Sequence, residues 1–205
     1  EALGSEYKNK KIGSFDHTAI FSFHAAKQIT TVEGGCISSN NEEIMKKIIQ
    51  IRDLGRTKSG EYVHNIISSN FRTTDLQSAI GIEQLKKIDG FLKTRSKIVA
   101  EYKKNLTNFS FQHVPDYVSK HSYMMFFVFT KNKQIRNNYL NSLRTGGVDA
   151  RVPWLPLSNQ PINSKLNKTE FLNSTKIYDN SLTLPIYNSM TDKEMKFVLN
   201  ISQNE

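Results

Sequence analysis

The sequence predicts an α/β fold, and three observations carry that prediction. A β-branched and aromatic run at 18–23 leads through a Gly-rich turn into a capped helical pattern, two further helical patterns fill 74–106, and strand and helix alternate after residue 123. A strand run followed by such a helix is the crossover pattern of an α/β layer.

Residues 1–40 read as strand segments joined by tight turns, with Asn9-Lys10 and Gly13-Ser14 as turn signals. Within them, Thr18-Ala19-Ile20-Phe21-Ser22-Phe23 reads as a buried strand. Asn40 and Asn41 offer an N-cap, Glu42 and Glu43 favour the first turn, and Ile44, Ile48 and Ile51 recur at helical spacing until Gly55. Residues 56–69 lack a period and are rich in Ser, Gly, Lys and Thr, so an extended loop is expected there. Loops of this length are often functional. Thr74-x-x-Gln77 forms a capping box for a helix whose apolar side includes Leu76, Ala79, Ile80 and Leu85. Leu92, Ile98, Val99, Tyr102 and Leu106 give a second long helix after Gly90. Near residue 107 the composition shifts toward strands and turns, which places a domain boundary between 1–106 and 107–205. The second part reads as a strand at Tyr123–Thr130 and a helix around Ile135–Thr145 ended by Gly146-Gly147. An irregular Pro-rich passage runs from Pro153 to Pro161, and Thr191-x-x-Glu194 caps a last helix.

The chain has 205 residues, 28 Lys and Arg against 19 Asp and Glu, and a formal charge of +9. Its basic residues fall in scattered doublets, Lys10-Lys11, Lys46-Lys47, Lys86-Lys87 and Lys103-Lys104, without aromatic interleaving or a recognition helix. Solvated faces account for them, and no nucleic-acid partner is expected. The single Cys36 rules out an internal disulfide, fits a reducing compartment and reads as a small buried filler. No stretch approaches the roughly 20 apolar residues that span a bilayer, and none resembles a signal peptide. The five histidines show no metal-ligand spacing, so no metal site is expected.

Chemistry concentrates in SFHAAKQITTVEGG at 22–35, which sets Lys27 between the strand run and a Thr/Gly-rich turn. An amine held at a strand end in a partly dry pocket has its pKa lowered and can attack a carbonyl to form a Schiff base. By itself Lys27 reads more readily as one surface lysine among many.

The segment EALGSEYKNKKIGSFDHTAIFSFHAAKQITTVEGGCI resembles, without gaps, the region around the cofactor lysine of the DegT-type (DegT/DnrJ/EryC/StrS) sugar aminotransferases, pyridoxal-phosphate enzymes that aminate keto groups on nucleotide-linked sugars. Three later blocks resemble the same family in the same order: NFRTTDLQSAIGIEQL at 70–85, GGVDARVPWLPLSNQP at 146–161 and LTLPIYNSMTDKEMKFV at 182–198. The resemblance implies the C-terminal part of a fold-type I aminotransferase, with the end of its large-domain sheet followed by a small α+β C-terminal domain. By that resemblance the family's chains are roughly twice as long as these 205 residues. The chain is therefore expected to be an N-terminally truncated piece, lacking the upstream acidic, phosphate-binding and ring-stacking residues, and to be inactive with weak cofactor retention by itself.

The resemblance also implies roles. Lys27 would hold pyridoxal phosphate and act as the catalytic base, Ser22 would contact the phosphate, and Glu1 would lie near the cofactor ring. Asn70 would reach the phosphate in the neighbouring subunit of a homodimer, giving a composite site. Read alone, Asn70 is a turn or cap residue, Ser22 a strand hydroxyl and Glu1 a mobile chain end. His121, Tyr123 and Arg151 fall in substrate-side segments, and an arginine suits a diphosphate because its planar fork pairs with phosphate oxygens. An exposed Arg or a strand-start His explains those positions as well.

Glutamate as donor and a keto-sugar nucleotide as acceptor are implied, in a cytoplasmic enzyme of cell-surface polysaccharide synthesis such as lipopolysaccharide O-antigen. HSYMMFFV at 121–128 resembles a passage of perosamine-type enzymes, which suggests a 4-keto-6-deoxyhexose, although Met124 replaces a Trp. Val32 stands where the family has Gly or Ala, so the turn after Lys27 must avoid a positive φ there or carry strain. Lys27 disfavours the related dehydratases, which carry histidine at that place. A reading of a different class, a noncatalytic fragment or interaction module that keeps the fold without stable cofactor, remains beside the enzyme reading.

Overall fold

A computed structural model describes residues 1–58, 60–166 and 168–203. Ser59, in the loop expected at 56–69, and Asn167, Asn204 and Glu205, in the domain expected at 107–205, lie outside the described residues. The elements run β1 (Glu6–Tyr7), β2 (Lys10–Lys11), β3 (Ala19–Ser22), β4 (Gly35–Ser38), α1 (Glu42–Arg52), α2 (Asp75–Lys86) and α3 (Ile88–Asn105). They continue with β5 (Ser110–Phe111), β6 (Val118–Lys120), β7 (Phe126–Phe129), α4 (Lys133–Thr145), α5 (Leu172–Asn180), β8 (Ser181–Leu184) and α6 (Asp192–Gln203). Three short 3-10 helices lie between Leu157 and Phe171, the first of them inside the Pro-rich passage.

The chain forms two compact units, Glu1–Leu92 with Asp116–Ser122, and Lys93–Pro115 with Tyr123–Glu205. Composition places the change near residue 107, where element type switches. Contacts divide the chain at Leu92, and the return of β6 to pair with β1 accounts for 116–122 belonging to the first unit.

In the first unit β1 and β2 form a hairpin whose two-residue turn, Lys8-Asn9, has φ of 48° and 63°. Two successive positive φ values match the twist of a tight hairpin, and the turn lies one residue earlier than the Asn9-Lys10 signal. β3 and β4 pair antiparallel with Ser22 opposite Gly35. A β-carbon at Gly35 would lie 2.8 Å from the Phe21 carbonyl oxygen, so this close strand approach needs glycine. The helical signals hold: the Asn41 side chain caps α1 by accepting from the Ile44 amide at 3.0 Å, and Thr74 and Gln77 complete both bonds of the capping box on α2.

Burial in this unit differs from the sequence expectation. Its buried hydrophobic residues, among those described, are Ile29 and Leu92. Ile20, in the run expected to be buried, is 76% exposed, Cys36 is exposed instead of filling a core, and no residue of α2 is buried. Apolar patterning marks a face that needs cover. It does not supply the covering element, and the two-stranded β3–β4 sheet leaves that face open.

The second unit owns a dense core. Its antiparallel sheet has the order β5-β7-β8, and α3, α4 and α6 supply Ile98, Val99, Tyr102, Leu140, Leu143, Met195 and Val198 against Phe126, Val128, Leu182 and Leu184. The Tyr102 hydroxyl, fully buried, donates to the Pro185 carbonyl at 2.9 Å, which removes the cost of an unpaired polar group there. The Thr191–Glu194 box caps α6 in both directions, at 2.7 and 3.2 Å. Among the described residues no helix is long and apolar enough to cross a membrane, and no group of three potential metal ligands is found.

Candidate active site

The segment joining β3 to β4 is braced by its own backbone. The Phe23 amide donates to Gly34 O at 2.8 Å, and Phe23 O accepts from the Thr31 amide at 2.9 Å and from the Thr30 hydroxyl at 3.1 Å. Inside that frame the Lys27 amide donates to His24 O at 3.0 Å and the Ala26 amide to His24 Nδ1 at 3.1 Å, so the chain turns tightly and presents Lys27. Helix α2 supports the frame from outside, because Gln77 Nε2 donates to Glu33 O at 2.9 Å.

Lys27 Nζ donates to Glu1 Oε1 at 2.6 Å. The Lys27 side chain is 14% exposed and that of Glu1 52%. Ser22 is half-buried at the end of β3, and its Oγ accepts from the His24 amide at 3.3 Å. Its hydroxyl hydrogen has no acceptor among the described residues. The structure thus brings Glu1 to the Lys27 amine and sets Ser22 where the strand enters the same turn.

Asn70 lies elsewhere in the same unit. It bridges to Asp53 through the backbone, and its Oδ1 accepts from the Arg72 amide at 3.2 Å and from Arg72 Nε at 3.0 Å. Asp53 anchors this corner: Arg56 Nη2 donates to its Oδ1 at 2.6 Å, and Arg72 Nη1 lies 3.4 Å from the same oxygen. The hydrogen bond from Arg56, with the charges of Arg56, Arg72 and Arg52 behind it, holds the Asp53 carboxyl below the usual carboxylate range.

His121 is half-buried in the first unit, and Tyr123 and Arg151 belong to the second. Tyr123 has φ of 44°, its carbonyl accepts from Arg95 Nη1 at 2.9 Å, and desolvation pushes its phenol up from the ordinary value. The backbone of Arg151 exchanges two hydrogen bonds with Thr183, while its Nε and Nη2 fork onto the Asp149 carboxylate at 2.7 to 3.2 Å. That pairing raises the Arg151 pKa further and lowers that of Asp149.

Two residues that no sequence motif singles out sit beside Lys27. Gln28 and Ser122 are 1% and 2% exposed, and both donate to the Glu1 carbonyl. Gln28 lies in the cofactor-type segment and Ser122 beside His121, so proximity to those positions is the signal that could have found them.

Chemically, the cluster offers a shielded primary amine, a carboxylate that accepts its hydrogen bond and a hydroxyl able to donate. Known proteins carry the same arrangement of segments. A UDP-4-amino-4,6-dideoxy-N-acetyl-beta-L-altrosamine transaminase of Campylobacter jejuni is 36% identical over 96% of this chain and 54% of its own length. The solved Helicobacter pylori PseC, an aminotransferase involved in the biosynthesis of pseudoaminic acid, superposes with a TM-score of 0.88 at 28% identity, covering 98% of this chain and 56% of that one. The putative sugar aminotransferase Spr1654 of Streptococcus pneumoniae, in its PMP form, shares the fold with a TM-score of 0.91 at 24% identity, over 100% of this chain and 57% of that one. The chain spans about half the length of the curated relatives it matches. The family pattern itself matches residues 1–202, and the chain belongs to the DegT/DnrJ/EryC1/StrS aminotransferase family.

Proposed function

We propose that the protein takes part in pyridoxal-phosphate-dependent transfer of an amino group from glutamate to a keto-sugar nucleotide, in the synthesis of cell-surface polysaccharide or a related sugar. The observation that carries this reading is Lys27. The other ion-paired lysines among the described residues, Lys58, Lys86, Lys97, Lys120 and Lys133, have side chains 36–77% exposed, against 14% for Lys27. A shielded amine on a backbone-braced turn suits covalent attachment of an aldehyde cofactor. The remaining donors fit too, since the Ser22 hydroxyl can donate to a phosphate oxygen in a charge-assisted bond.

Bound, pyridoxal phosphate supplies the electron sink. Lys27 would hold it, and Lys27 Nζ would carry the transferred proton. Ser22 would contact its phosphate and Glu1 would lie near the ring; in the structure Glu1 accepts a hydrogen bond from the Lys27 amine. Asn70 serves the phosphate of a second copy in a homodimer. Ile67 and Phe71 flank Asn70 with 106% and 63% of their surface exposed, which supports an interface at that corner. His121 in the first unit, and Tyr123 and Arg151 in the second, are the candidate residues for the sugar nucleotide. The name of the C. jejuni relative supports amination at carbon 4 of a 6-deoxyhexose nucleotide.

The test is to incubate the chain with pyridoxal phosphate in large excess, so that the weak retention expected of the piece alone is still trapped, reduce with borohydride and map the modified peptide. One adduct at Lys27, lost in Lys27→Ala, is expected; adducts spread over exposed lysines, or none, would overturn the reading. Sedimentation that finds a monomer at every concentration would remove the composite site.

A further inference from the structure

The geometry points to Gln28 and Ser122 as positioning residues that hold Glu1 on the Lys27 amine. Its relevance to cofactor chemistry rests on the function proposed above. Three contacts converge on Glu1. The Gln28 amide and the Ser122 hydroxyl donate to its backbone carbonyl, the latter at 3.0 Å, and Lys27 Nζ donates to its carboxylate at 2.6 Å. Gln28 Nε2 also lies 3.0 Å from Ser122 Oγ, so the two donors form one buried unit. Ser122 is fixed in turn, because its amide donates to Ser5 Oγ at 3.0 Å.

This arrangement differs from an ordinary surface ion pair. A flexible glutamate, half exposed in its side chain, loses rotamer freedom when it pairs with a lysine and gains little net energy from doing so. Here the main chain of Glu1 is pinned by two side chains 1% and 2% exposed, and burial makes their loss expensive. Lys27 and Gln28 are consecutive, so one turn grips both ends of the same residue: Lys27 takes the carboxylate and Gln28 the carbonyl. The distance from Nζ to Oε1 is therefore set by the buried pair. Ser122 lies next to His121, so the pair also ties the 121–122 segment to the Lys27 turn.

The test reads the environment of the amine directly and needs no cofactor. Lysines of the full chain are labelled with carbon-13 methyl groups, and the Lys27 signal is assigned by its loss in Lys27→Arg. A pH titration then follows how each lysine senses its carboxylate. In the native chain the Lys27 signal is expected to inflect with a carboxylate, and Glu1→Gln to abolish the inflection, which separates Glu1 from Glu33, paired with His24 on the same turn at 3.7 Å. Gln28→Leu and Ser122→Ala are each expected to reduce that inflection at least 3-fold, and Gln28→Leu to add nothing once Glu1 is Gln. Lys97, paired with Asp192 in the second unit at 2.7 Å, is the internal reference and should keep its inflection throughout. An unchanged Lys27 inflection in both variants would overturn the inference. Loss of the Lys97 inflection together with that of Lys27 would overturn it as well, since the pair would then hold the fold and not the site. Absence of a borohydride-trapped adduct at Lys27 would refute the cofactor reading alone, because the titration stands without it.

Discussion

The Val32 amide donates to the Thr30 hydroxyl at 2.8 Å while Val32 itself is held at φ 73°. A β-branched side chain in the left-handed region is strained. The turn keeps it there because Thr30 also ties back to Phe23 O and Thr31 Oγ1 donates to Glu33 O at 2.8 Å. Val32 is 62% exposed, so removing its side chain forfeits little packing. Val32→Gly is expected to stabilise the chain by about 1 kcal/mol, the relieved strain exceeding the entropy glycine adds to the unfolded chain. A urea midpoint that rises at constant m-value checks this, and a fall would show that the turn is relaxed.

The Asp53–Arg56 contact makes the corner around Asn70 acid-sensitive. The folded-state pKa of Asp53 is depressed, chiefly by the Arg56 hydrogen bond. Its contribution is therefore present above the ordinary aspartate value and disappears as pH falls through the folded value. Acidification should release the amides of Leu54 and Phe71, which donate to Ser69 O and Arg52 O across this corner. Hydrogen exchange, corrected for intrinsic rates, should show their protection falling with pH in the native chain. Asp53→Asn should give lower protection without that pH dependence, and identical profiles would exclude Asp53 as the sensor.

These features divide into what local sequence can report and what it cannot. Asn41, Thr74-Gln77 and Thr191-Glu194 act within a few residues of themselves, and the structure forms each cap where the sequence calls for it. Lys27 is legible because it lies in a long motif. Gln28 and Ser122 are not, since they are 94 positions apart and neither residue type advertises chemistry. Burial fails for a related reason. Ile20 and Leu76 are apolar at the right period, yet period says nothing of which element covers them, and in the first unit they are 76% and 74% exposed. Strain at Val32 is one of two outcomes its sequence position allows, and only the backbone decides between them.

In the second unit Arg136 is 3% exposed, and its Nε and Nη1 have no hydrogen-bond partner among the described residues. Its guanidinium lies 5.7 Å from the ring centroid of Tyr178, a favourable contact of cation and ring face. A buried charge with two unpaired nitrogens costs more than an apolar side chain of similar length, and methionine can keep the contact with the ring. Arg136→Met is expected to leave stability unchanged or to raise it by up to roughly 2 kcal/mol, measured by denaturant unfolding. A loss of that size would reveal an acceptor, such as a buried water, at Arg136.

Arg151 reaches for an anion and finds Asp149. Both side chains of that pair are about 70% exposed, so solvent screens the contact and it can be exchanged for a more highly charged diphosphate. If Arg151 serves the sugar nucleotide, Asp149 competes with the substrate for the same fork of donors. Asp149→Asn should then tighten binding of inorganic pyrophosphate by up to about 5-fold, the equivalent of releasing such a pair. Removing one negative charge anywhere favours an anion slightly, so Asp192→Asn, also in the second unit, serves as the reference for that general effect. Adding Arg151→Gln to Asp149→Asn should erase the gain, and calorimetric titration measures each step. A gain that persists without Arg151, or that Asp192→Asn reproduces, would remove Arg151 from diphosphate recognition.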